Sequence, residues 1–110
     1  MSELNGYRLM WMMVMFDLPV KEPDERAAAT AFRNFLLDEG FEMSQYSVYF
    51  RFMGERERCR PVIRRVRACV PANGKVSILQ FTDRQFGEII SIQDRTVGKA
   101  PDIPDQLTIL

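Results

Sequence analysis

The sequence predicts an α+β fold, an antiparallel sheet with two helices on one face, on three observations. Apolar runs of strand length stand at residues 9–16, 41–52 and 76–81, and two segments between them carry apolar residues at helical spacing. The chain of 110 residues suffices for one domain with a modest core and is too short for two.

The first run, Leu-Met-Trp-Met-Met-Val-Met-Phe, is ended by Asp17 with Pro19 close behind. A run without polar interruption fits a central strand buried on both sides. Pro23, Asp24 and Glu25 then place a proline and two acids where a first helical turn takes them. Ala28, Ala31, Phe32, Phe35 and Leu36 follow as one stripe, and Gly40 ends that helix. In residues 41–52, Tyr46, Val48, Phe50 and Phe52 alternate with Ser47, Tyr49 and Arg51. A bend at Ser44 and Gln45 makes this one kinked strand or a short pair. Cys59, Val62, Ile63, Val66 and Cys69 mark the apolar face of a second helix, with Pro61 in its first turn, and Pro71, Asn73 and Gly74 close it. Residues 75–82 read as another strand, and after a turn-like Asp83-Arg84-Gln85 comes a shorter one about residues 88–92.

The order strand, helix, strand or bent pair, helix, strand, strand predicts a ferredoxin-like α+β sandwich over residues 1–92. Its strands are apolar on both sides, so the face without helices needs a cover. A second copy stacked sheet to sheet, a two-fold homodimer, is the simplest one. Residues 93–110 read as a linker carrying Pro101 and Pro104, then a C-terminal docking strand with Leu107, Ile109 and Leu110. Such a strand adds to a sheet edge in cis, on the dimer mate or on another protein.

Composition narrows the functional classes. The opening Met-Ser-Glu-Leu-Asn-Gly has no basic leader region, and the run at residues 9–16 is far below membrane-spanning length. A cytoplasmic protein with no membrane partner is expected. With two cysteines ten residues apart in one helix and no histidine, free thiols are expected and zinc is nearly excluded. Formal net charge is zero, yet residues 51–67 hold seven arginines against Glu55 and Glu57. A balanced total can hide a basic face suited to a polyanion.

Two features could carry chemistry. Asp17 closes a strand with no other polar residue; alone, such a residue more often caps the turn at Leu18 and Pro19. A two-fold axis near that strand end would bring two copies of Asp17 together, where repulsion favours a shared cation such as Mg²⁺. Asp17 is therefore the candidate metal ligand and, if the site is active, the catalytic residue. Without a histidine or an obvious second acid beside it, hydrolysis has thin support. The second feature is the arginine set: Arg60, Arg64 and Arg67 at i, i+4 and i+7, with Arg65 adjacent, Arg56 and Arg58 leading in, and Arg51 on the strand before. Arginine suits bidentate phosphate contact, so backbone-directed, salt-dependent binding of nucleic acid is expected. The alternative is a solvated polar face. The methionine-rich first strand reads as packing, and Arg33, off the apolar stripe, as a solvated residue.

Met15-Phe-Asp17-Leu-Pro19, Glu25-Arg26, Phe32-Arg-Asn-Phe-Leu-Leu37, Glu39-Gly-Phe41 and above all Met43-Ser-Gln-Tyr-Ser-Val-Tyr49 together resemble the small CRISPR-associated protein of spacer acquisition. The likeness runs from about Tyr7 to Ile92 and is nearest to versions that accompany single-effector CRISPR systems. It implies a ferredoxin-like homodimer held between CRISPR integrase subunits and binding the middle of a double-stranded DNA prespacer. Asp17 falls on the family's metal-binding aspartate. The resemblance further implies a metal-dependent endonuclease acting on RNA or DNA, and a terminal strand that docks on partner subunits. The arginines rest on their own charge and spacing. Two other readings compete: a free-standing toxin-like ribonuclease of the same fold, and a small-molecule regulatory module, against which the arginine-rich helix argues.

Overall fold

A computed structural model of the chain describes residues 8–100. Strand β1 (Met10–Asp17) lies inside a four-stranded antiparallel sheet, between β3 (Val48–Gly54) and β4 (Lys75–Thr82), with β2 (Glu42–Gln45) outside β3. The order β2-β3-β1-β4 with its intervening helices is the ferredoxin-like arrangement the sequence predicts. The segment at residues 41–52 resolves into the short pair β2 and β3, joined through Tyr46 and Ser47, and Ser47 takes the left-handed φ of 69° that this tight turn requires.

Helix α1 (Pro23–Asp38) starts where Glu25 turns its carboxylate back onto the N–H groups of Lys21 and Glu22, both at 2.9 Å. It stops at Gly40, whose φ of +94° lets the N–H groups of Gly40 and Phe41 close onto the last carbonyls. Its buried stripe is Ala29, Phe32 and Leu36; Ala31, expected inside, is exposed. Helix α2 (Cys59–Ala68) follows a short 3₁₀ turn, Arg56–Arg58, and buries Cys59, Val62 and Val66. Cys69 lies just past the helix end and is exposed, and both thiols are free. The two helices cover the sheet face presented by Met10, Met12, Val14 and Phe16, and this is the main core. Each fully buried side chain there contributes about 1.5–3 kcal/mol.

The opposite face is only partly a strand-to-strand problem. Asp83-Arg84-Gln85, read as a turn, opens a short helix, α3 (Asp83–Gly87), capped by Thr82: the Gln85 N–H donates to Thr82 Oγ1 (3.1 Å) and the Thr82 N–H to Gln85 Oε1 (2.9 Å). Its Phe86 ring stacks flat on Trp11, centroids 3.8 Å apart, and the Trp11 indole N–H donates to Asp83 Oδ1 at 2.7 Å. A second cluster forms there around Trp11 and Phe50, with Phe52, Phe81 and Ile89 packed on it. The short strand expected about residues 88–92 begins only at Ser91: β5 (Ser91–Gln93) pairs with β6 (Thr96–Gly98) as a separate hairpin outside the four-stranded sheet. Residues 96–98 are thus strand where a linker is expected, and the docking residues Leu107, Ile109 and Leu110 lie outside the described residues.

Candidate functional site

Burial of Cys59, Val62 and Val66 on one side of α2 fixes what the other side shows. Arg60, Arg64 and Arg67 stand exposed there, and Gly54, at φ +75°, turns the chain so that Arg56 and Arg58 lead into the same region. Arg8, Arg56, Arg60 and Arg64 line an open cleft of about 850 Å³ together with Glu55, Glu57 and Pro61. None of Arg56, Arg58, Arg60, Arg64 and Arg67 forms an ion pair with a described residue. A cleft with four guanidiniums against two carboxylates attracts anions, and phosphodiesters suit its forked donors.

Arg51 and Arg65 are differently placed. Arg65 grips Glu39 in bidentate fashion, Nε at 2.7 Å and an Nη at 2.9 Å, and Arg51 reaches the same carboxylate at 3.4 Å. The Arg65 hydrogen bond first of all, with the charges of Arg65 and Arg51, holds the Glu39 carboxyl below its usual range against the opposing effect of burial. The seven sequence-predicted arginines therefore divide into five without a carboxylate partner among the described residues and two that share one.

At the other end of β1 sits Asp17, exposed and opposite Lys75 in the β1–β4 register. The Phe16 N–H donates to the Ser47 carbonyl at 3.1 Å, so the two sequence blocks around Asp17 and Tyr46 converge on one sheet end. Among the described residues no group of three or more His, Cys, Asp or Glu could hold a metal ion. One chain thus offers a single carboxylate with a lysine across from it, a donor set that does not by itself fit Mg²⁺. Arg33, expected in solvent, is half-buried here: its guanidinium lies 4.7 Å from the Tyr46 ring centroid and 5.7 Å from that of Phe16. Nothing in helical periodicity marks it, since its partners come from the sheet end. Burial pushes the Cys59 thiol and the Tyr49 phenol up, which favours the neutral form of each.

The sheet face beyond α3 stays open. Met13, Leu79, Gln80, Phe81, Gln85 and Ile89 line an apolar hollow of about 360 Å³, next to the exposed Met15. No described helix is long and apolar enough to cross a membrane.

The profile of the family described as CRISPR associated protein Cas2 matches residues 10–89. A protein of Paracidovorax avenae named CRISPR-associated endoribonuclease Cas2 is 53% identical over 106 residues, 96% of this chain and 98% of its own length. Proteins of the same name from Parvibaculum lavamentivorans and Flavobacterium psychrophilum are 48% identical over 100 residues and 42% identical over 108. These alignments cover 91% and 96% of this chain, and 99% and 90% of the relatives.

Proposed function

The chain belongs to the family of CRISPR associated protein Cas2, and from that membership we propose that it serves CRISPR adaptation as a homodimer. In this reading it grips double-stranded prespacer DNA by the backbone and holds the integrase subunits for spacer acquisition. The observation that carries it is the outward row Arg60, Arg64 and Arg67, free of acid partners among the described residues and continued by Arg8 and Arg56 around an open cleft. Phosphate contacts release counterions from DNA, so binding of this kind is sequence-tolerant and falls steeply with salt. The homodimer is supported by the open apolar face around Met15 and Leu79. Two free cysteines fit a cytoplasmic setting.

Changing Arg60, Arg64 and Arg67 together to Ala should weaken binding alike for unrelated duplexes. It should also flatten the plot of log affinity against log salt by about one unit for each phosphate no longer gripped. Unchanged affinity and slope in a filter-binding titration would remove the DNA from this face.

A second reading has one observation behind it: the relatives bear the name endoribonuclease. Metal-dependent cleavage of RNA or DNA would centre on Asp17, and Mg²⁺ enters this reading only as an ion shared by the Asp17 carboxylates of two copies. The carboxylate would then act as metal ligand, with Lys75 opposite it as a cation near the phosphate.

A further inference from the structure

Tyr46 stands at the tip of the β2–β3 turn with 76% of its surface exposed. An exposed tyrosine alone says little, but this ring is held. The Arg33 guanidinium lies over one of its faces at 4.7 Å and donates through an Nη to the Tyr46 hydroxyl at 3.0 Å. The same guanidinium is backed by Phe16 at 5.7 Å, and its Nε is sealed from solvent with no acceptor among the described residues. Below the ring the turn is fixed as well, because the left-handed Ser47 gives its carbonyl to the Phe16 N–H. One face of the ring is thus occupied and its orientation set, while the exposure leaves the remaining surface to solvent.

We infer that the Tyr46 ring, backed by Arg33, is a stacking platform for one unpaired nucleobase, placed at the sheet end that carries Asp17. The inference rests on the nucleic-acid reading above. A π-face accepts any base without reading its edge, and a ring already held loses little further freedom when a base settles on it. The partner is an unpaired base because the faces of bases inside a duplex are covered by their neighbours. Two sources share that chemistry: single-stranded RNA and the frayed end of a DNA duplex. The guanidinium beneath the ring also places a positive charge within reach of the strand's phosphates.

Binding of fluorescent single-stranded oligoadenylate, as RNA and as DNA, and of a duplex whose ends are cross-linked so that they cannot fray tests this on the full chain. Tyr46→Ala should weaken single-strand binding about tenfold, Tyr46→Phe should retain most of it, and duplex affinity should not move. Wild-type protein should bind an abasic oligomer as weakly as the alanine variant does, and the variant should not distinguish the two oligomers. A loss confined to RNA would identify RNA as the source, and one on DNA a frayed end; either supports the platform. Full single-strand affinity in Tyr46→Ala, with duplex binding intact, would overturn the platform alone. An equal loss on the duplex would also overturn it, since the effect would then not depend on an unpaired base. Wild-type protein that binds none of the probes would overturn both this inference and the reading beneath it.

Discussion

Glu39 sits at the C-terminal end of α1 and joins three elements through Arg65 on α2 and Arg51 on β3. Because its folded pKa is depressed, the stabilisation is present above the unfolded carboxylate pKa and is lost as pH falls through the lower folded value. Wild type should therefore melt above Glu39→Gln at neutral pH, and the gap should close in acid; a gap that ignores pH would show that packing and not charge matters here. The same variant leaves two guanidiniums without their anion, so it should elute from heparin at higher salt than wild type. The basic segment was legible in the sequence, but its division was not. Glu39 lies 12 residues from Arg51 and 26 from Arg65, and no local pattern joins such positions.

Among the elements, α3 does most to change the expected surface. Five residues are too few to show a helical period, which is why Asp83-Arg84-Gln85 reads as a turn. The legible signal was the capping pair, Thr82 followed three residues later by Gln85. Phe86→Ala should remove the flat stack on Trp11 and lower stability by about 2 kcal/mol, less than a fully buried phenylalanine would cost. Trp11 is the sole tryptophan, so its emission should shift to the red as water reaches the ring. Unchanged emission would mean that α3 does not shield it. The hairpin of β5 and β6 was hidden for another reason: Asp94 and Arg95 both adopt left-handed φ, 53° and 65°. That geometry is ordinarily announced by Asn-Gly.

For the whole molecule, the order of the four-stranded sheet and its two long helices was readable because the segments that form them are long enough to show an apolar run or spacing, which α3, β5 and β6 are not. The cover of the second face was less so, since a sheet apolar on both sides does not say what covers each. Here α3 covers the Trp11 end, while Met15 and Leu79 stay exposed at 36% and 43%. Leu79→Glu should give a folded monomer by circular dichroism and light scattering where the wild type gives a dimer. A wild type already monomeric at micromolar concentration would place the dimer surface elsewhere or remove it.

Strand β1 separates the arginine cleft from Asp17. Its eight residues at about 3.3 Å each set the two ends roughly 23 Å apart. A duplex laid along the strand advances about 3.4 Å per base pair, so it must run about seven base pairs to touch both ends. In the proposed nucleic-acid reading a shorter piece could not reach both the guanidiniums and a cation held at Asp17, whose bare carboxylate repels phosphate. The sheet would act in that reading as a ruler, since contact at both ends would carry information about length and none about sequence.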